Sequence, residues 1–296
     1  MQLNNTWQAL LNPGSSNHYF ATNVLKPFQV NDPGFSLINA WWLSELCRLI
    51  YKKDSNENGK WTDIPTRNEI LNRVHLQEHR FFNFEKAQCA IITSKKEIKD
   101  AFAVLVFRGT SGKLQNWIHN FDAFPSKWPC GGWVHKGFKK IFDEIWDDIL
   151  TSLLSIRQPI FYTGHSLGAA MATLAASLKP PRALYTFGSP RVGNAAFIHS
   201  LKDIRIYRVI NSRDIVSSTP PSLMTFKFFH AGEPYYLNHK KYQNISTDNF
   251  KENIDDLEKK SIYKRHVPSH KWFPSPPEFL ADHAPINYTA CLQDPL

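Results

Sequence analysis

Residues 159–178, PIFYTGHSLGAAMATLAASL, restrict the fold more than any other part of the sequence. A short apolar run precedes the pattern G-x-S-x-G, and an alanine-rich segment follows it, so a buried strand, a sharp turn and a helix are predicted. Small residues must flank a serine held in so tight a turn. The N-terminus of the helix would direct unpaired N–H groups at a developing oxyanion. We therefore predict that Ser166 is a nucleophile rather than an incidental residue of a glycine-rich turn.

Short apolar strands alternate with helical segments along the chain. Helices are predicted at 38–51, 67–76 and 138–154, and strands at 88–93, 101–107, 183–187, 204–210 and 227–237. This alternation predicts an α/β fold, a mostly parallel central sheet with helices on both faces. Open α/β folds often run this long as one domain, so residues 1–296 are assigned to a single domain. Residues 239–277, charged and then proline-rich, are predicted to be a surface excursion.

Composition and charge limit the expected partners and location. The net charge is +9, but basic residues alternate with acidic ones, as in 251–264, so nucleic acid is not an expected partner. The positive net charge is compatible with binding to an anionic surface, including a lipid surface. Neither a signal peptide nor an apolar run of membrane-spanning length is visible, and the expectation is a cytoplasmic protein, with non-classical export as the alternative. The four cysteines show no close pairing, and no metal is expected.

A serine nucleophile needs a base and an acid that orients the base. In α/β-hydrolases these follow in the order serine, acid, histidine. Asp214 comes just past the strand predicted at 204–210, at the strand end where catalytic groups gather, whereas Asp203 precedes that strand. If it stood alone, Asp214 would be interpreted as a turn-capping residue.

Five histidines follow Asp214 and are candidates for the base: His230, His239, His266, His270 and His283. The first lies in a predicted strand and is interpreted as a core histidine. His239 is next to two lysines, which disfavour its protonated form. His266 and His270 fall in the charged excursion. By chain order, His283 is the predicted base.

Several motifs resemble those of class 3 lipases, the family of fungal triacylglycerol lipases and their bacterial and plant relatives. They are FRGT at 107–110, NWI at 116–118, VHKGF at 134–138, GHSLGAA at 164–170, FGSPRVGN at 187–194, RDIV at 213–216, and DH at 282–283 with a tyrosine at 288. The resemblance implies an α/β-hydrolase fold and a triad of Ser166, Asp214 and His283. It also implies that Thr110 and Leu167 donate the N–H groups of an oxyanion hole.

The same resemblance implies a mobile lid helix at about residues 111–124. The sequence supports a helix, because Leu114, Trp117, Ile118 and Phe121 have the spacing of one apolar stripe. Such a stripe would cover the site in water and contact a lipid surface when the lid opens. Without the family context, an ordinary amphipathic helix fixed on the core would be the preferred interpretation.

Two features bear on the comparison with secreted fungal members, which carry signal peptides and disulfides. Cys47 and Cys291 stand where those lipases tie the first helix to the C-terminus, so their Cα atoms are expected within bridging distance, roughly 4.4–6.8 Å, with the redox state left open. The excursion at 239–277 is longer than expected for compact members, and it is expected to shape the acyl or head-group side of the pocket.

The expected function is hydrolysis of carboxylic esters, foremost acylglycerols, through an acyl-enzyme on Ser166. No cofactor is required, and the expected partners are the lipid ester and, transiently, a lipid surface at the lid. Within this class the alternatives are a phospholipase A or an esterase of soluble esters. A different class is a catalytically silent lipid-surface binding protein, since fold does not fix function; the complete triad argues against it.

Overall fold

One seven-stranded sheet organises the computed structural model, which describes residues 4–6, 8–10, 18–54, 64–95, 99–110, 124–211, 214–220, 226–237 and 275–293. Its strands are β1 (Leu76–Asn83), β2 (Gln88–Ser94), β3 (Ala103–Phe107), β6 (Ile160–His165), β7 (Ala183–Phe187), β8 (Ile206–Asn211) and β9 (Glu233–Leu237), in this spatial order. Strands β4 (Pro125–Lys127) and β5 (Trp133–His135) form a separate pair. From β3 to β9 every neighbouring pair is parallel, while β1–β2 and β2–β3 are antiparallel. The mostly parallel sheet is as predicted.

Helices cover both faces of this sheet. They are α1 (Leu37–Leu49), α2 (Arg67–Asn72), α3 (Lys136–Asp143), α4 (Trp146–Leu153), α5 (Leu167–Leu178), α6 (Ala195–Ser200), α7 (Glu278–Ala281) and α8 (Pro285–Gln293), with 3-10 turns at Gln8–Leu10 and Ile215–Ser218. Because successive side chains of a strand point to opposite faces, Val104 and Val106 join the core under α1 and α8, whereas Leu105 and Phe107 join the core under α3, α4 and α5. The predicted two-sided covering is confirmed.

Helix α1 is as deeply buried as its sequence indicates. The Ser36 side chain caps it by accepting from the Asn39 N–H, and residues 39–49 are all buried. A helix that is apolar all round must be enclosed on all sides. Here the sheet lies on one side and α8 on another, since α1 contacts both.

Three predicted elements differ from the structure. The helix predicted at 67–76 ends at Asn72, and strand β1 begins at Leu76. That strand was not predicted, because its sequence LQEHRFFN is mostly polar and only Leu76 and Phe82 are buried. The helix predicted at 138–154 is two helices, α3 and α4. The strand predicted at 227–237 contains only β9, and Phe229 makes an isolated bridge to Gly193.

The four cysteines all fall within the described residues and none is joined to another. Cys47 and Cys291 lie in one core cluster and on helices that pack together. The Cys47 thiol contacts the Thr163 hydroxyl at 3.2 Å, and the Cys291 thiol donates to Asn211 Oδ1 at 3.7 Å. Burial raises the pKa of Cys47 to about 12, which keeps this thiol protonated. The Cα separation of the pair stays a prediction.

Two predicted features lie outside the described residues. These are nearly all of the lid, with Leu114, Trp117, Ile118 and Phe121, and all but the last residues of the excursion at 239–277. Among the residues that are described, no helix has the length and apolar character needed to span a membrane.

Candidate active site

Ser166 occupies a strained turn between β6 and α5, as the motif predicted. Its φ and ψ are 58° and −125°, a combination that L-residues adopt only where the surroundings enforce it. The Ser166 N–H donates to the Phe187 carbonyl at 2.9 Å, which fixes the turn on strand β7. A Cβ added at Gly164 would lie 2.2 Å from the Gly168 carbonyl oxygen, so the turn requires glycine there. The strained serine between strand and helix has the geometry of a nucleophile elbow.

Asp214 and His283 are brought together although 69 residues separate them. His283 Nδ1 lies 2.8 Å from Asp214 Oδ2 and 3.0 Å from Oδ1, and both side chains are buried. A carboxylate only accepts, so Nδ1 carries a proton, and in a neutral imidazole Nε2 is then the basic nitrogen. Neither His283 Nε2 nor Ser166 Oγ has a hydrogen-bond partner among the described residues. The His283 ring is 4.5 Å from that of His165, the neighbour of Ser166.

A hydrogen-bond network holds the Asp214 carboxylate in place. Oδ1 accepts from the Val216 N–H at 2.9 Å, and Oδ2 accepts from the Tyr288 hydroxyl at 2.5 Å. Tyr288 in turn accepts from the Asn211 N–H at 3.1 Å, at the end of β8. Burial, with the Asp214 charge in addition, holds the pKa of Tyr288 well above its ordinary value. The phenol therefore remains a donor, and the Asp214 carboxylate is oriented by the 3-10 turn at Ile215–Ser218 and by α8.

Tyr288→Phe should lower kcat on a dissolved ester about tenfold. The substitution removes a hydrogen bond to a charged group, worth about 1.5–3 kcal/mol, and leaves the Asn211 N–H without its acceptor. The measurement is kcat with a short p-nitrophenyl ester, beside the thermal midpoint. Tyr185→Phe is the matched control, because its buried hydroxyl accepts from Ser36 at the start of α1. Equal kcat in both variants would contradict a role for Tyr288 in orienting the acid.

The two residues predicted to form an oxyanion hole belong to segments that adjoin the serine. Leu167 begins α5, where the first backbone N–H groups have no intrahelical acceptor. Thr110 follows β3 in the segment that passes the elbow, since a Cβ added at the preceding Gly109 would lie 3.1 Å from Ser166 Cβ. The buried Thr110 hydroxyl has no hydrogen-bond partner among the residues described. Such an arrangement can present donors to an oxyanion that forms at Ser166.

Of the four remaining histidine candidates, His230 is the one that lies among the described residues. His230 lies outside the strands, beside the Ser217 and Pro190 backbones. Burial, together with the charges of Arg208 and Arg191, keeps the pKa of His230 well below its ordinary value, as suits a neutral structural histidine. His239, His266 and His270 fall outside the described residues. Among the residues that are described, no group of three potential metal ligands occurs.

Two site residues were not predicted. Tyr51, near the end of α1, hydrogen-bonds His165 Nδ1 at 2.9 Å, and His165 Nε2 contacts the His283 carbonyl oxygen at 2.7 Å. His165 is part of the GHSLG motif, but the motif does not specify its contacts with Tyr51 and His283, on which a role for it depends. Tyr51 had no sequence signal apart from its place in an apolar helix.

Comparison with known proteins identifies relatives for the central part of the chain. The family model described as Lipase (class 3) matches residues 104–224. The lipase of Rhizomucor miehei is 36% identical over 186 residues, which is 55% of this chain and 48% of that protein. The secreted mono- and diacylglycerol lipase 1 of Fusarium solani is 36% identical over 168 residues, 51% of this chain and 47% of that protein. The chain thus spans about half the length of the curated relatives it matches.

The solved structure of lipase II from Rhizopus niveus superimposes with a TM-score of 0.57 at 24% identity, covering 68% of this chain and 80% of that one. At this identity the likeness is one of fold, and it confirms the predicted α/β-hydrolase architecture. The family model and the two sequence relatives agree with the motifs found in the sequence. Over residues 104–224 the chain matches the class 3 lipase family, and the curated relatives that it resembles are named as lipases.

Proposed function

We propose that this protein is a serine hydrolase of carboxylic esters, with Ser166 as nucleophile, His283 as general base and acid, and Asp214 as the orienting carboxylate. The observation that carries the proposal is the buried His283–Asp214 hydrogen bond at 2.8 Å, beside a serine held at φ 58°. The match of residues 104–224 to the class 3 lipase family supports the same chemistry. A catalytically silent protein would gain nothing from the backbone strain at Ser166 or from an oriented His283 whose Nε2 has no hydrogen-bond partner among the described residues.

The arrangement supports a two-step acyl transfer. Ser166 Oγ attacks the ester carbonyl carbon while its proton passes to His283 Nε2, and Asp214 stabilises the resulting imidazolium through Nδ1–H. The N–H groups of Leu167 and Thr110 stabilise the oxyanion, each by roughly 3–4 kcal/mol in comparable sites. Collapse breaks the ester C–O bond, and Nε2–H protonates the departing alcohol. Water then attacks the acyl-enzyme by the same route and releases the acid.

We further propose that acylglycerols are the preferred esters. The relatives whose printed names are lipase and mono- and diacylglycerol lipase support this choice. Phospholipids and short soluble esters would use the same chemistry and remain the alternatives. Turnover should be compared on tributyrin, a diacylglycerol, phosphatidylcholine vesicles and p-nitrophenyl butyrate at matched ester concentration. A preference for phosphatidylcholine would make the protein a phospholipase.

A fluorophosphonate probe tests the nucleophile directly. The probe should label the wild-type protein once, and mass spectrometry should place the label on Ser166. Ser166→Ala should not be labelled. A folded wild-type protein that resists the probe and hydrolyses none of the four esters would contradict the proposed enzyme and favour a silent lipid-binding protein.

The lid belongs to the same proposal, with the whole chain as one domain. Trp117 is the largest group on the apolar stripe that includes Leu114, Ile118 and Phe121. Trp117→Ser should therefore lower turnover on an emulsified long-chain substrate several-fold more than turnover on a dissolved short ester, because lipid contact would no longer favour the open lid. Trp133→Ser, at a partly exposed tryptophan outside the predicted lid, is the control. Equal losses on the two substrates would indicate a fixed structural helix.

A further inference from the structure

His165 is a buried, ionisable residue beside the nucleophile to which the proposed acyl transfer gives no task. Its two ring nitrogens have different partners, Tyr51 at Nδ1 and the backbone carbonyl of His283 at Nε2. A carbonyl oxygen only accepts, so His165 Nε2 must carry a proton. Burial, and to a smaller extent the charge of His283, keeps the pKa of His165 well below its ordinary value, so the ring is neutral. Nδ1 is therefore an acceptor, and the Tyr51 hydroxyl donates to it.

Tyr51 extends this chain to the segment proposed to carry the oxyanion hole. Burial raises the pKa of Tyr51, which keeps the hydroxyl protonated as a donor. The same hydroxyl lies against Gly109, where an added Cβ would come within 2.1 Å of it. The residue after Gly109 is Thr110. One tyrosine just past the end of α1 thus contacts both Gly109, which follows β3, and the histidine at the end of β6.

We propose that Tyr51 and His165 are positioning residues that fix the main chain of His283 relative to the Gly109–Thr110 segment and Ser166. This inference rests on the proposed function. Asp214 orients the imidazole of His283 from its Nδ1 side, but a ring held at one atom can still shift with its backbone. The bond from His165 Nε2–H to the His283 carbonyl removes that freedom. The base then stays at a set distance from the nucleophile, on which the rate depends steeply.

Three variants separate positioning from packing. Tyr51→Phe removes only the donor hydroxyl, and His165→Phe keeps a ring without its nitrogens. His165→Gln keeps an N–H that can reach the His283 carbonyl. The first two should lower kcat on p-nitrophenyl butyrate roughly tenfold to a hundredfold, with KM changed less than about twofold, since the loss is one of alignment rather than of binding. His165→Gln should recover part of kcat relative to His165→Phe.

Tyr185→Phe is the control here also, because it removes a buried tyrosine hydroxyl that bonds to Ser36. It should lower the thermal midpoint by about as much as Tyr51→Phe and leave kcat near that of the wild type. Equal kcat for Tyr51→Phe and the wild type, or equal losses in Tyr51→Phe and Tyr185→Phe, would overturn the positioning role. A kcat of His165→Gln no higher than that of His165→Phe would also overturn the positioning role.

A readout independent of catalysis tests the hydrogen-bond chain itself. Imidazole nitrogen NMR of the wild-type protein should show His165 as the neutral Nε2–H tautomer throughout the pH range in which the fold is stable. An Nδ1–H tautomer or a protonated ring would overturn the inference, even in an active enzyme. Conversely, the expected tautomer in a protein that hydrolyses no ester and resists the fluorophosphonate would contradict the proposed function while leaving the chain of hydrogen bonds supported.

Discussion

Ser166→Ala and His283→Ala should each lower kcat on a dissolved ester by roughly a million-fold, the loss seen when a triad acts as a unit. Ser166→Ala removes the attacking oxygen. His283→Ala removes an imidazole whose Nε2 has no hydrogen-bond partner among the described residues and whose ring lies 4.5 Å from that of His165, the neighbour of Ser166. Single-turnover and steady-state rates with p-nitrophenyl butyrate would measure both losses, and circular dichroism would verify the fold.

The matched control for the histidine is His230→Ala. His230 is partly buried, near the charges of Arg208 and Arg191 and beside the Ser217 backbone, so its loss should affect stability more than chemistry. Its kcat should stay within about tenfold of the wild type, because it removes no acid or base from the reaction. If His230→Ala abolished turnover in a folded protein while His283→Ala did not, the assignment of the base would be wrong.

Asp214→Asn should lower kcat by roughly ten-thousand-fold, as expected when the acid of a triad becomes an amide. Three groups donate to the Asp214 carboxylate: the Val216 N–H to Oδ1, the Tyr288 hydroxyl to Oδ2, and His283 Nδ1 to both oxygens, more closely to Oδ2. An amide has one acceptor oxygen. If that oxygen faces Val216, the NH₂ group faces His283 Nδ1 and selects the tautomer with a proton on Nε2, which cannot act as a base. If the amide oxygen instead faces His283, the NH₂ group faces the Val216 N–H, and the two donors repel each other.

The measurement for Asp214→Asn is kcat across pH with a dissolved ester. Asp203→Asn is the control, because Asp203 is exposed and precedes β8 rather than following it. It should be indistinguishable from the wild type. A loss of less than about tenfold in Asp214→Asn would indicate that another group orients His283, and the proposed triad would need a different acid.

Local sequence patterns predicted those parts of the site that depend on local structure. The elbow at Ser166 requires a strand, small residues and a helix in direct succession, and Asp214 follows a strand that is recognisably apolar. Strand β1 escaped prediction because an edge strand with a polar face lacks the apolar run on which the prediction depends. The break between α3 and α4 was missed for a related reason, since the amphipathic period continues across it.

Long-range contacts could not be predicted in the same way. Tyr51 and His165 are 114 residues apart, and nothing in either neighbourhood specifies the other. Their contact arises because α1 is buried against the sheet, which is a property of the assembled core. The Asp214–His283 pair was predictable only because chain order and family motifs supplied the connection that local patterns lack.

The packing of α8 on α1 has a consequence for how the protein matures. The proposed nucleophile, the proposed acid and both proposed oxyanion donors lie between residues 110 and 214, whereas a single residue separates His283, the proposed base, from α8. That helix docks on α1, and near its start Asn287 also bonds with Asn4 through both its side-chain oxygen and its nitrogen. Such non-local contacts are slow to form. During synthesis the proposed triad therefore stays incomplete until the segment that carries His283 and α8 has left the ribosome, and it is assembled only when the two ends of the described chain meet.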